Sequence, residues 1–183
     1  DDEVRRLATW VLAVTGEAAQ EAVPALIEAL RDPDAWNRAA AARALGAIGP
    51  DARESIPALW DLLPNSGAER DALSGALARM GTDVVPRALE MLQDRAWDQR
   101  CLGIYLLEEN GRGDPEVLEA VKRAVDDPEE AVASRAVYAL LAWGKPGLET
   151  VLEAVSGPRE RLRSRTAQYV SFERLDPEVA LAV

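Results

Sequence analysis

The side chains that most enzymes use for catalysis or metal binding are scarce in this chain of 183 residues. There is no histidine and a single cysteine, Cys101, so Ser-His and Cys-His arrangements cannot occur and a transition metal would lack its usual ligands. The carboxylates of DDPEE (126–130) lack the spacing of a calcium-binding EF-hand loop, and we interpret them as a helix-capping loop. The sequence therefore predicts no catalytic residue, no metal site and no cofactor.

Two further charged groups have a structural interpretation. Glu108 and Glu109 are adjacent, and we interpret them as a solvated helix end. A basic patch near residue 160 contains four arginines: Arg159, Arg161, Arg163 and Arg165. It is interpreted as part of a solvated terminal helix, and the alternative is a docking face for an acidic neighbour. The absence of a catalytic constellation favours a binding protein over an enzyme.

A repeat of about 30 residues defines the elements that position these side chains. Five glycines mark it, at spacings of 33, 32, 30 and 33 residues: Gly16, Gly49, Gly81, Gly111 and Gly144. A leucine stands four residues before each marker glycine. An arginine stands eleven residues before the first four of them, as Arg5, Arg38, Arg70 and Arg100, and Ala133 takes that place in the last copy. Because three features keep one register, the repeat is well supported.

Each repeat is predicted to contain two helices. The first helix carries the pattern AVPALIEAL (22–30), which returns as SIPALWDLL (55–63) and VVPRALEML (84–92). Its proline lies near the start of the helix, where a missing N–H is best tolerated. The second helix follows an Asp/Pro turn such as 32–34, whose aspartate can cap the first turn, and it ends at the marker glycine.

The second helices carry small apolar residues at helical spacing, as in Ala41, Ala44, Leu45 and Ile48. Alanine allows close approach between helices, but one helix pair cannot bury this stripe alone. Stacked pairs can bury it, which is how solenoids are stabilised. The chain is therefore expected to be an all-α, right-handed α-solenoid of about eleven helices.

The segment AVPALIEALRDPDAWNRAAAARALGAIG (22–49) resembles a HEAT repeat of the short form found in bacterial proteins and in the phycobilisome-lyase-like group. The resemblance covers nearly the whole chain, although Trp36 and Asn37 replace the usual Glu-Val before the arginine. It implies that the second helices line a concave wall. It also implies that the repeat arginines pair with turn aspartates of their own or the adjacent repeat, forming a ladder of ion pairs.

The marker glycines predict a single HEAT-repeat solenoid over 1–183. It consists of a half-unit at 1–16, repeats at about 17–49, 50–81, 82–111, 112–144 and 145–175, and a partial unit at 176–183. Neither end has the polar outer face that terminal repeats need. We therefore expect self-association through the uncapped ends.

Aromatic residues recur on the face of the second helices opposite the apolar stripe. The central position of that face holds, in successive repeats, Trp10, Arg43, Gly75, Tyr105 and Tyr138. Since aromatic and arginine side chains dominate binding hot spots, we predict a protein-binding site. Its residues are Trp10, Trp36, Arg43, Asp98, Tyr105 and Tyr138. The alternative is that these rings cover neighbouring side chains of the protein itself. Trp60 and Trp143 fall on apolar positions and are predicted to be buried, whereas Trp97 stays open between core and surface.

The charge of the chain restricts its partner. With 32 acidic and 21 basic residues, the net charge of −11 disfavours nucleic acid and anionic membrane surfaces and favours a basic protein or peptide. We therefore predict a non-enzymatic scaffold or adaptor, bacterial and cytoplasmic, that binds on the concave face. Two alternatives stay open: a catalytic HEAT protein similar to phycobilin lyases, and an architectural segment of a larger protein.

Overall fold

The computed structural model describes residues 21–65 and 67–156, and the chain divides into two compact units, Asp1–Val85 and Pro86–Val183. Every regular element in the described residues is a helix, which confirms the all-α prediction. The predicted helix at 1–16, the arginine patch at 159–165 and the partial unit at 176–183 lie outside the described residues.

The helices alternate between the two kinds that the repeat predicts. Unit 1 contains α1 (Val23–Ala29), α2 (Ala35–Ile48), α3 (Ile56–Leu62) and α4 (Arg70–Leu77), with 3-10 segments at Gly49–Ser55, Leu63–Asn65 and Gly81–Val84. Unit 2 contains α5 (Val85–Met91), whose first residue closes unit 1, then α6 (Trp97–Asn110), α7 (Pro115–Ala124), α8 (Glu130–Ala142) and α9 (Lys145–Ser156). The even-numbered helices are the second helices of the repeats. We retain the sequence-based repeat boundaries as a proposal for how these helices group.

Local sequence explains where several of these helices begin and end. The side chain of Asp34 caps α2 by accepting a hydrogen bond from the backbone N–H of Trp36, at 2.9 Å. Asp114 caps α7 in the same way, by accepting from the N–H of Glu116 at 2.8 Å. Gly49 ends α2 with a φ of 73°, a conformation that favours glycine. Gly111 ends α6 with a negative φ, and glycine is needed there because a Cβ would lie 2.5 Å from Val117.

Unit 1 is built on the contact between α2 and α4. Gly46 approaches Ala76 so closely that a Cβ on residue 46 would lie 2.8 Å from the Cα of Ala76. Burial on α2 extends beyond the predicted stripe, because residues 39–42 are all buried while Ile48 is only partly buried. The helix has neighbours on two sides, α1 and α4. The leucines that complete the core are each at most 2% exposed: Leu26, Leu59 and Leu73.

Unit 2 repeats this arrangement with α6 packed against α8, which also contacts α7 and α9. Gly103 is the point of closest approach to α5, since a Cβ there would lie 2.8 Å from the carbonyl oxygen of Ala88. Trp143 is buried, as predicted, and its Nε1 donates to the carbonyl oxygen of Glu108 at 3.0 Å. Trp60 in unit 1 is buried as well. The core side chains of α6 and α8 are at most 2% exposed: Ile104, Leu106, Leu107, Val132, Val137 and Leu140.

Two repeat arginines form the ion pairs that the HEAT resemblance implies, with one change of partner. In unit 2, Nε and Nη2 of Arg100 each donate to a carboxylate oxygen of Asp127, in the next turn, at 2.8 Å. In unit 1, Arg38 binds Glu69 instead of an aspartate, with Nε 3.1 Å from Oε1. The place of the turn aspartate, seventeen residues before the marker glycine, is Pro64 in this repeat. Glu69 therefore supplies the carboxylate that the turn lacks.

Both pairs are largely closed to solvent, and the arginines change the pKa of their acids. The side chains of Glu69 and Asp127 are 5% and 11% exposed. Hydrogen bonding to Arg38 holds the pKa of Glu69 below its ordinary value of 4.5. Burial acts to raise the pKa of Asp127, but the hydrogen bonds from Arg100 and from the N–H of Glu129 lower it below its ordinary value. The ionised carboxylates therefore stabilise the folded protein.

The close contact between α2 and α4 predicts opposite effects for two glycines of unit 1. Gly46→Ala should lower the free energy of unfolding by about 1–3 kcal/mol, because the new methyl group forces the helices apart. Gly75→Ala is the matched control, since no atom lies within 4 Å of its Cβ position. It should raise stability by about 0.5–1 kcal/mol through helix propensity. Urea unfolding measures both, and equal effects would show that α2 and α4 do not pack at Gly46.

The Arg38–Glu69 pair predicts a pH dependence. Because the folded pKa of Glu69 is lowered, its contribution to stability is complete above the unfolded value and is lost as the pH falls through the folded one. Glu69→Gln should be less stable than wild type at pH 6 and should lose less stability between about pH 5 and pH 3. Glu28→Gln, from a solvent-exposed pair with Arg31, should follow the wild type. Parallel pH profiles for wild type and Glu69→Gln would contradict the assignment.

Candidate protein-binding surface

Three large apolar side chains are strongly exposed in the described residues: Trp36 at 52%, Trp97 at 50% and Tyr138 at 45%. Trp36 and Tyr138 belong to the predicted site. Trp97, which the sequence left open, is the first residue of α6 and lies at the surface. Exposed rings on a rigid backbone are suitable anchors for a protein partner.

In unit 1, α2 presents Trp36 and Arg43, which are seven residues apart and therefore on the same side of the helix. Both side chains are exposed. The equivalent central position of α4 is Gly75, which leaves that place without a side chain, and Arg79 is exposed one turn further on. This face thus combines one aromatic ring with two arginines. Trp10, which the sequence places in the same row, lies outside the described residues.

In unit 2, α6 and α8 together form a surface that we call the tyrosine face. Asp98, Cys101, Tyr105, Glu108 and Glu109 recur at helical spacing along α6. The packed neighbour, α8, adds Arg135 and Tyr138, which are one turn apart. Three residues of the predicted site are therefore on this face: Asp98, Tyr105 and Tyr138. Tyr105 is half-buried and Tyr138 is exposed.

Arg135 links the two helices of the tyrosine face. Its guanidinium carbon lies 5.1 Å from the centroid of the Tyr105 ring, and its Nη2 donates to Oε2 of Glu108 at 2.7 Å. One face of Tyr105 therefore contacts a side chain of the protein itself, as the alternative interpretation of the aromatic residues predicted. Arg135 was not among the predicted site residues. The sequence did contain an indication of its role: the position of the repeat arginine is Ala133 in this copy, and an arginine follows two residues later.

Glu108 differs from the solvated helix end that its sequence suggested. Its side chain is only 15% exposed and is paired with Arg135. Burial raises the pKa of the Glu108 carboxyl above its ordinary value, although the charge of Arg135 acts in the opposite direction. Its neighbour Glu109 is exposed, as predicted. The sequence could not distinguish the two, because only the packing of α8 against α6 covers one of them.

Cys101 is half-buried on the tyrosine face, one turn before Tyr105. Burial raises the pKa of its thiol, and the nearby charge of Arg135 offsets this effect only in part. The thiol is therefore a weak nucleophile at neutral pH. Its position makes it a natural site for a chemical reporter of binding.

Unit 2 also contains a cavity of about 280 Å³ at the Arg100–Asp127 pair. Its apolar lining includes Leu89, Leu92 and Val132. The two charges already pair with each other, so they are not available to orient a ligand. Within residues 21–65 and 67–156, no cluster of three or more histidine, cysteine or acidic side chains is arranged to bind a metal ion. No helix in this part of the chain is long and apolar enough to cross a membrane.

Solved structures show the class of fold. An engineered protein from the Northeast Structural Genomics Consortium is 17% identical, with a TM-score of 0.53 over 90% of this chain and 88% of its own. A second engineered protein from the same consortium is 17% identical, with a TM-score of 0.52 over 93% of this chain and 54% of its own. A designed armadillo repeat protein is 15% identical, with a TM-score of 0.51 over 90% of this chain and 91% of its own. The chain therefore has an armadillo-like helical-repeat fold.

The family comparison is more specific than the fold. Residues 1–78 match the family model of HEAT repeats. The predicted resemblance to HEAT repeats is thus confirmed for this segment. No curated protein matches the sequence.

The environment of Cys101 predicts its reactivity. Alkylation by iodoacetamide should be slower than that of a small free thiol at neutral pH, and its rate should rise at higher pH than that of the free thiol. Arg135→Met should slow the reaction further, because the variant loses the positive charge that stabilises the thiolate. Mass spectrometry over a pH series measures the rates. A rate profile identical to that of the free thiol would contradict the burial of Cys101.

Proposed function

We propose that this protein is a non-enzymatic scaffold that binds a protein or peptide segment on its second-helix faces, above all on the tyrosine face of unit 2. The observation that carries the proposal is the 45% exposure of Tyr138 on a helix whose other sides are buried. Its chain neighbours Val137 and Ala139 are both buried in the core, so the backbone that carries the ring is fixed. A partner can therefore bury the ring at little cost in conformational entropy.

The charges of the tyrosine face support a basic partner. Glu109 is exposed on this face, and Glu108 adds a second carboxylate that is paired with Arg135 in the unbound chain. The net charge of −11 adds an attraction at longer range, which steers a basic segment toward the protein and weakens in salt. The same charge disfavours nucleic acid and anionic membranes as partners.

Trp36 and Arg43 extend the proposed function to unit 1, and Trp10 belongs to the same proposed site. An exposed tryptophan and an exposed arginine are the side chains most enriched at the centres of interfaces. The fold is compatible with this function, since helical-repeat proteins use extended surfaces to bind their ligands.

The experiment measures the anisotropy of a fluorescent peptide of four Lys-Arg pairs as it binds to the full chain. Tyr138→Ala should weaken binding about tenfold, which corresponds to about 1.4 kcal/mol. The melting temperature should change little, because the ring is nearly half exposed. Tyr138→Phe is the matched control, since it keeps the ring and should bind nearly as well as the wild type.

Three outcomes would contradict the proposal. Unchanged binding by Tyr138→Ala would remove the tyrosine face from the site. No binding by the wild type at low salt would favour an architectural role, in which this surface binds no partner. A large loss of stability in Tyr138→Ala would instead show that the ring belongs to the core.

A further inference from the structure

We propose that Tyr105 and Glu108 form a guanidinium subsite within the tyrosine face, which Arg135 fills in the unbound chain and an arginine of the partner fills in the complex. This inference rests on the proposed function and adds the class of side chain that the partner presents. It also gives Arg135 a role, as an internal competitor for the subsite.

The contacts of Arg135 define the chemistry of the subsite. A ring centroid 5.1 Å from the guanidinium carbon is within the range of a cation–π interaction. The 2.7 Å hydrogen bond to Glu108 has the length of a charge-assisted one. The backbone of Glu108 is fixed, because its carbonyl oxygen accepts from the buried Trp143. A ring face beside a carboxylate suits the planar guanidinium of arginine better than the compact ammonium of lysine.

Arg100, in the same unit, is an example of an arginine whose hydrogen bonds to the protein are nearly complete. It donates to both carboxylate oxygens of Asp127 and also to the carbonyl oxygens of Asp94 and Arg95, and its side chain is 13% exposed. Among the described residues, Arg135 makes one ion pair and one ring contact, and its side chain is 34% exposed. Its Nε is buried and has no hydrogen-bond acceptor among the described residues. Arg135 is therefore held much less completely than Arg100.

Because Arg135 is held incompletely, an arginine of the partner can replace it in the subsite. A buried donor without an acceptor is costly, and Arg135 regains hydration of its Nε when it swings into solvent. Arg135 covers one face of the Tyr105 ring, so its departure also uncovers that ring face. The partly buried Glu108 still needs a neighbouring cation, which the incoming arginine supplies. The partner thus gains a cation–π contact and an ion pair at a preformed place.

The test compares fluorescent octa-arginine and octa-lysine, which carry the same charge, in binding to the full chain and to Arg135→Met. Methionine keeps much of the aliphatic stem and removes the competitor. We expect Arg135→Met to bind octa-arginine about threefold or more tightly than the wild type, with a larger preference for octa-arginine over octa-lysine. Arg95→Met is the matched control, because it removes an exposed charge from the same unit. It should strengthen the binding of both peptides equally.

Each outcome decides between the subsite and simple charge removal. If Arg135→Met strengthens both peptides only as much as Arg95→Met does, or weakens octa-arginine, the subsite is overturned. Adding Glu108→Gln to Arg135→Met should abolish the preference for arginine, and a preference that persists would also overturn it. If Arg135→Met melts early, Arg135→Lys replaces it, and octa-arginine must still bind more tightly than to the wild type. Failure of the proposed function is separate, since it appears as unchanged binding in Tyr138→Ala.

Discussion

Close packing of the second helices is the constraint on which the rest of this structure depends. Small residues fill that contact, as Gly46 and Ala76 do in unit 1, so that two backbones approach closely and a stripe of alanines becomes buried. The leucines of the first helices then complete the core. In unit 2, α6 packs beside α8, and we infer that this packing places Tyr105 and Tyr138 on one face. Packing and the candidate site therefore have a common cause.

The arginines show how the repeat separates stability from binding. Arg38 and Arg100 are tied to carboxylates that the next turn or helix start supplies, and they are well satisfied. Where one repeat has Pro64 in place of the turn aspartate, Glu69 takes over and the pair survives. Another repeat has Ala133 in place of the arginine and therefore lacks this ion pair. There, Arg135 contacts Tyr105 on the tyrosine face. The break in the pattern thus coincides with an arginine that is held less completely than Arg100.

In such a fold, only the solvent-exposed face of a second helix is available to bind a partner. In unit 2, α8 packs against α6, α7 and α9, and one of its faces is left for solvent. On α8 this face carries Tyr138, while Val137 and Ala139 on either side of it in the chain are buried. Side chains on that face are held by a rigid backbone and can be exchanged at low cost to the core. This division of roles explains why exposed aromatic residues can persist there.

The sequence by itself determined the all-α class and the burial of Trp60 and Trp143, because these follow from capping residues and apolar periodicity within short segments. It also predicts that Asp98, Tyr105 and Tyr138 share one face of the second helices, since a helix fixes the direction of each residue relative to its neighbours. Only the tertiary structure decided that Arg38 binds Glu69, that Glu108 is covered while Glu109 is not, and that Arg135 lies against Tyr105. Each of these contacts joins different helices across a distance of a few ångströms. Periodicity along one helix gives the side on which a residue lies, whereas the partner it meets depends on how closely the next helix packs.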